Sequence, residues 1–302
     1  MLTVSNYHYI REDFSTPYPS IFGVTPDAFE KQLRQLKNHG DFIHPSDLLN
    51  DIDSCLSNKA NYFLVTFDDG LKEQCRYALP ILDALNIPAV FFANSVNREM
   101  GKVSTVHKIH LLRSILSPQV FMEKLSTAAL ILSEAEKTKA QHIYRYDDKA
   151  AAELKFLLNF KMDFHTQERV IKSIFDDYFS EAEVLDTLYM TEAQYIELAR
   201  NGFLGSHTHA HYPLGLLNET AVRFELEHSK SYFEKLTDTK IHMVSYPYGT
   251  DDACTDAVAK TAENVGYRIG FMTKRGENTG KENLLLLNRF DCNDLPGGKN
   301  YK

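Results

Sequence analysis

The sequence predicts an α/β fold: a parallel sheet with helices outside it, either doubly wound or closed into a barrel. Strand-like and helix-like segments alternate over most of the 302 residues, the pattern of repeated strand–helix units. Tyr62–Phe67 and Ala89–Ala93 are apolar runs, interrupted only by Thr66, so they read as strands buried on both faces. Three polar clusters, at 68–70, 207–211 and 245–249, stand just past predicted strand ends, where parallel α/β folds place their chemistry.

Leu2–Ile10, rich in β-branched and aromatic residues, opens the chain as a strand. A helix is expected between Thr25 and Gly40. Thr25 suits the cap, Pro26 the first turn and Gly40 the close, while Phe29, Leu33 and Leu36 recur at helical spacing. Tyr62–Phe67 ends abruptly at Asp68-Asp69-Gly70. Pro80–Leu85 reads as a helix broken at Pro88, and Ala89–Ala93 follows as a strand. From about 101 to 190 the rhythm stops, and helical patterns succeed one another with polar joints. Ile109, Leu112, Ile115 and Leu116 form one apolar stripe there, and Leu154, Leu157 and Leu158 another. This stretch is expected to be a helical insertion, serving as packing, substrate lid or oligomer surface. Alternation resumes where Thr191 to Gln194 forms a capping box for a helix ending at Gly202. The remaining order is strand Phe203–Ser206, helix Glu219–Leu236, strand His242–Tyr246, helix Asp252–Val265, strand Arg268–Met272 and a final strand Leu284–Phe290.

Hydrophobic residues make up 43% of the chain and charged ones 25%, the composition of a soluble globular protein, and no segment reaches the roughly 20 apolar residues that span a bilayer. The net charge of −8, with no basic run longer than Lys274-Arg275, argues against nucleic acid as a partner. Cys55, Cys75, Cys254 and Cys292 are scattered singly, which fits free thiols in a reducing compartment. The N-terminal residues show no basic start followed by an apolar run, so a cytoplasmic location is expected.

Taken alone, Asp68-Asp69-Gly70 is a turn and the 207–211 histidines are a polar loop. Together they admit more. His207 and His211 are four residues apart, a spacing that lets two imidazoles converge, and Asp69 can complete a three-ligand set with open coordination positions. Such a cation makes a nucleophile of water near neutral pH, and the adjacent Asp68 is free to take the proton.

The phrases Thr66-Phe67-Asp68-Asp69-Gly70, His207-Thr208-x-x-His211 and Tyr246-Pro247-Tyr248-Gly249 resemble the polysaccharide deacetylase family, also called the NodB-homology or carbohydrate esterase 4 family. Weaker similarity at Tyr7-His8-Tyr9-Ile10, the Phe29–Leu36 helix, Gly266-Tyr267 and Leu287-Asn288-Arg289 extends it along nearly the whole chain outside the insertion. The resemblance implies a single domain spanning 1–302, a distorted (β/α) barrel of seven strands, acting on N-acetylated sugars. It further implies that Asp69, His207 and His211 hold a divalent metal, usually zinc and in some members cobalt, nickel or iron. Asp68 is then the general base, the backbone N–H of Tyr248 assists the metal at the oxyanion, and Thr208 braces the histidine loop.

Two departures stand out. Many members carry Arg where this chain has Ser245, and Arg289 is the candidate substitute. Many also use a late histidine as general acid, whereas the last histidine here is His242; His8 and Asp291 are the candidate replacements, with His209 a third. Tyr246, Pro247 and Tyr248 are candidate substrate contacts, and Tyr9 and Tyr212 further stacking rings. The expected substrate is an N-acetylated sugar, a nucleotide- or lipid-linked sugar or an oligosaccharide. The alternatives are an O-deacetylase, a catalytically silent carbohydrate-binding protein on the same barrel, and an iron oxygenase, which would leave Asp68 without a role.

Overall fold

The computed structural model describes residues 1–57, 60–126, 131–145 and 147–301. They fall into two compact units, one of Met1–Asp13, Gly23–Lys102 and Leu185–Lys302, the other of Phe14–Phe22 and Val103–Val184.

The first unit is built on parallel strands. β1 (Leu2–Tyr7), β2 (Tyr9–Ile10), β3 (Gly23–Val24) and β4 (Asp41–Phe42) precede the two apolar strands β5 (Tyr62–Phe67) and β6 (Ala89–Ala93), whose ends match the sequence reading. β7 (Leu204–Ser206), β8 (Met243–Ser245), β9 (Ile269–Phe271) and β10 (Phe290–Asp291) follow. The main path runs β10-β1-β5-β6-β7-β8-β9, seven parallel strands in a curled half-barrel, with β4 beside the start of β5. Helices α1 (Pro26–Leu36), α2 (Pro45–Asn50), α3 (Ile52–Leu56), α4 (Leu79–Leu85) and α5 (Val96–Glu99) lie in the first half of this unit.

The second unit is helical, with α6 (Thr105–Ile115), α7 (Pro118–Ser126), α8 (Glu134–Ile143), α9 (Lys149–Phe156) and α10 (Phe164–Asp176); α11 (Glu181–Leu188) starts in it. Leu112, Leu116, Leu154, Leu157 and Leu158 are buried as expected, whereas Ile115 is exposed at the last residue of α6. α12 (Glu192–Arg200), α13 (Glu219–Thr237) and α14 (Asp256–Val265) complete the first unit. No helix among the described residues is long and apolar enough to cross a membrane.

The caps explain most boundaries. Thr25 accepts from Ala28 N with Pro26 in the first turn, and Thr191 and Gln194 form the expected reciprocal box. α14 starts at Asp256 rather than Asp252 because Thr255 accepts from Val258 N. α1 ends at Leu36, short of Gly40, and 45–56, passed over in the sequence, forms α2 and α3 with His44 and Asp51 as caps. The first predicted strand is two: the chain breaks at exposed His8, and β2 turns away to pair with β3.

The largest correction concerns Leu284–Phe290, which is a ladder only from Phe290. Its earlier part turns at Asn283–Leu286 and then runs beside β9, with Leu287 N donating to Gly270 O and Met272 N to Leu287 O. Three residues past Leu287, Phe290 and its neighbour Asp291 pair with Ser5 and Asn6 of β1. One short segment therefore touches both ends of the strand path. Gly270 makes its approach possible: a Cβ there would lie 2.5 Å from the Leu285 carbonyl oxygen and 2.7 Å from the Tyr246 hydroxyl. Gly270→Ala is expected to cost about 1–3 kcal/mol by overpacking, read as a lower urea midpoint at unchanged slope.

Candidate active site

The three polar clusters sit at the carboxyl ends of β5, β7 and β8. Their backbone is unusual. Asp69, Thr208, His211 and Tyr248 have φ of 77°, 65°, 62° and 64°, four of the six non-glycine residues with positive φ among those described. Each such conformation is unfavourable for an L-residue and persists only where surroundings enforce it. At Tyr248 the enforcement is visible: Thr273 Oγ1 donates to Tyr248 O at 3.0 Å and Thr273 N to Gly249 O at 2.8 Å. Gly249 must be glycine, since a Cβ would come 2.4 Å from Thr273 Cγ2.

Arg289 holds the centre. Its side chain is fully buried and forks onto Asp68, Nη1 to Oδ1 at 2.9 Å and Nη2 to Oδ2 at 2.7 Å. The same guanidinium donates to Ser245 Oγ, Thr66 Oγ1, Asn6 Oδ1 and Met272 O, at 2.9, 3.3, 3.2 and 3.0 Å. Burial alone would push the Asp68 carboxyl up, but Arg289, with His207 and His8 nearby, holds it well below the usual carboxylate range.

Asp69 faces the other way. Its Oδ1 lies 3.5 Å from His207 Nε2 and 3.3 Å from His211 Nε2, and these donor atoms all fall within 4.8 Å of one another. His207 Nδ1 is 2.7 Å from Ser245 O; a carbonyl only accepts, so Nδ1 carries the proton and Nε2 turns its lone pair to Asp69 and His211. Burial pushes His207 down to about 4, so it is neutral at pH 7, the form that binds a cation. Two imidazole nitrogens and one carboxylate oxygen converging this way fit a divalent transition metal.

Thr208 takes part in bracing the histidine loop through its carbonyl, which accepts from Ser95 N at 3.3 Å. Other bracing residues were not evident in the sequence. Asn94 donates to His207 O, Glu225 Oε2 accepts from Ala210 N at 2.7 Å, and Ser206 Oγ meets Ser229 Oγ at 2.8 Å. Gln74 Nε2 ties His8 O to Asp68 O at 2.9 and 2.6 Å. Only Asn94 carried a readable signal, a polar residue directly after an apolar strand.

The remaining candidates separate. His8 is exposed and acts electrostatically on Asp68. Asp291 instead caps a turn, accepting from Asn293 N and Nδ2 at 2.8 Å each. His209 points elsewhere, to Ser95 Oγ at 2.7 Å, with Glu99 3.7 Å away. Tyr246, Pro247 and Tyr9 are buried; Tyr246 packs in the core on the side of its strand that carries Val244, with residues of α13 and α14. Tyr248 is 45% exposed, its ring edge-on to His211 at 5.3 Å between centroids. Tyr212 is half-buried.

The family model "Polysaccharide deacetylase" matches residues 57–124 and 163–270, more than half of the chain and all three clusters. The chain belongs to this family. Bacillus subtilis YxkH is 29% identical over 102 residues, 33% of this chain and 36% of that protein, so the match spans about a third of the curated relative. Among solved structures, the Streptococcus pyogenes deacetylase PplD in complex with acetate superposes with a TM-score of 0.57 at 19% identity, over 99% of this chain and 95% of that one. IcaB from Ammonifex degensii gives 0.57 at 17%, over 96% and 91%. These similarities establish the fold of the deacetylase family, a NodB-type (β/α) barrel.

Removing the guanidinium leaves Asp68 buried and unpaired. Arg289→Met is expected to cost about 3–5 kcal/mol at pH 7. The native Asp68 lies below its unfolded value, so its contribution is present above about pH 4 and is lost as pH falls through the folded value. Without Arg289, burial raises the carboxyl instead. The stability gap between native and variant protein should therefore shrink from pH 7 toward pH 4, measured by urea unfolding across that range.

Proposed function

We propose that this chain is a metal-dependent deacetylase that removes the acetyl group from an N-acetylated sugar or glycan precursor. One observation supports this most: two adjacent buried carboxylates keep different company, Asp69 beside two imidazole nitrogens and Asp68 on Arg289. Asp69, His207 and His211 hold the cation, zinc being the first choice for this donor set and cobalt, nickel or iron the others. A divalent cation bound there supplies Lewis acidity and acidifies water toward neutral pH.

Asp68 takes the proton of the attacking water. Arg289 keeps it ionised and fixes its plane, and each carboxylate oxygen retains a second lone pair for the proton. The Tyr248 N–H, on a backbone held in the left-handed region, donates to the developing oxyanion, and the exposed Tyr248 ring provides a face for the sugar. His8 is our choice for protonating the leaving amine, because it is exposed and near enough to Asp68 to help lower its carboxyl, while Asp291 and His209 are engaged elsewhere. We take the whole chain as one deacetylase domain with the helical stretch at about 101–190 inserted in it.

Two departures from the family pattern, Ser245 in place of Arg and the absence of a late histidine, motivate the silent-protein alternative. Arg289 reaches both Asp68 and Ser245, which favours the enzyme reading. Acetate release from a panel of N-acetylated sugars and oligosaccharides by the zinc- or cobalt-loaded protein tests it. Asp68→Asn is expected to lower kcat by about 10²–10⁴-fold, with Asp69→Asn and His207→Ala losing both metal and turnover. A metal-loaded protein inert across the panel would end the proposal, and release from O-acetyl esters alone would replace it with the O-deacetylase alternative.

A further inference from the structure

The histidine of the 207–211 loop that the proposed chemistry leaves unused has its own company. His209 Nδ1, His228 Nε2 and Glu99 Oε2 all lie within 4.8 Å of one another, contributed by the loop after β7, by α13 and by the last residue of α5. Glu99 Oε2 is 2.8 Å from His228 Nε2 and 3.7 Å from His209 Nδ1, and the two imidazoles meet edge to face at 4.6 Å between centroids. Ser95 Oγ, 2.7 Å from the same His209 nitrogen, adds a fourth donor atom. Phe224 stacks on the His228 ring at 4.8 Å and 21° and meets His209 edge-on at 5.5 Å, which restrains both rings.

We propose that Glu99, His209 and His228 form a second divalent-cation site, for an imidazole-preferring ion such as Zn²⁺, Co²⁺ or Ni²⁺. Two imidazole nitrogens and a carboxylate are the donors such ions take. The His209 ring is buried, which positions one ligand, while the Glu99 and His228 side chains are 30% and 37% exposed, which opens the site to the ion and to its remaining waters. Binding exchanges the Glu99–His228 and Ser95–His209 hydrogen bonds for bonds to the metal.

The location gives the site a consequence. Val96 N donates to His209 O at 3.2 Å and His209 N to Glu225 O at 3.1 Å, so the backbone of His209 already joins α5 to α13. A cation binding the side chains of the same three elements fastens the loop that carries His207 and His211. It acts by positioning and touches no substrate.

The test is metal stoichiometry, by equilibrium dialysis against Zn²⁺ at pH 7.5 with elemental analysis of the full chain. Wild type is expected to bind two ions. Asp69→Asn/His211→Ala should bind one, and Glu99→Gln/His228→Gln, a change at exposed side chains whose fold circular dichroism checks, should also bind one. In Asp69→Asn/His211→Ala, Zn²⁺ should still raise Tm, and adding Glu99→Gln/His228→Gln should abolish that rise. Unchanged stoichiometry in Glu99→Gln/His228→Gln overturns the proposal, as does an Asp69→Asn/His211→Ala protein that binds no zinc. These readouts are independent of acetate release, so they stand or fall separately from the deacetylase reading.

Discussion

The architecture of the first unit depends on one buried guanidinium. Arg289 gives its donors to side chains of β1, β5 and β8, to the carbonyl after β9 and to both oxygens of Asp68. Burying an ion pair costs several kcal/mol per ion, and only a saturated set of hydrogen bonds offsets it. Arg289 meets that condition. Its place in the chain matters equally, because it lies between Leu287, which bonds to β9, and Phe290, which pairs with β1. The residue that fixes Asp68 therefore also anchors the segment touching both ends of the strand path, and electrostatics of the site and closure of the sheet become one constraint.

From that anchor the division of labour between neighbours follows. Asp68 and Asp69 are adjacent, yet the positive φ at Asp69 turns its carboxylate toward His207 and His211 while Asp68 stays on Arg289. Ser245 serves both halves: its hydroxyl accepts from Arg289 and its carbonyl accepts from His207 Nδ1. A larger side chain at 245 would have to displace one of these contacts. Arg289, arriving from a different strand end, thus supplies the charge beside Asp68 and takes the Ser245 hydroxyl as a further acceptor.

Much of this was legible before the structure. The paired aspartates and the His-x-x-x-His spacing needed only the observation that each followed a strand, and β5 and β6, apolar but for Thr66, were bounded correctly because β-branched and aromatic runs leave no alternative. Arg289 could be named only through the family resemblance, which implies an Arg beside Asp68 where this chain has Ser245. What escaped did so for physical reasons. Glu225 and Gln74 act on backbone carbonyls and amides, and such contacts depend on tertiary approach that no spacing encodes. Neighbourhood alone suggests Tyr246 and Pro247 as substrate contacts; the pleat of β8 sends Tyr246 to the helix-packed side with Val244, and of the three only Tyr248, on a left-handed backbone, reaches solvent. The apolar run at 284–287 looked like a strand, but Asn283 accepts from Leu285 N and bends it into a turn.

The most direct test is the anomalous-scattering map of crystals grown with Zn²⁺. A peak is expected bonded to the Asp69 carboxylate, His207 Nε2 and His211 Nε2, with Asp68 still forked on Arg289 and outside the coordination shell. A map in which Asp68 is itself a zinc ligand and Arg289 has released it, or one with no peak at Asp69, would contradict that expectation.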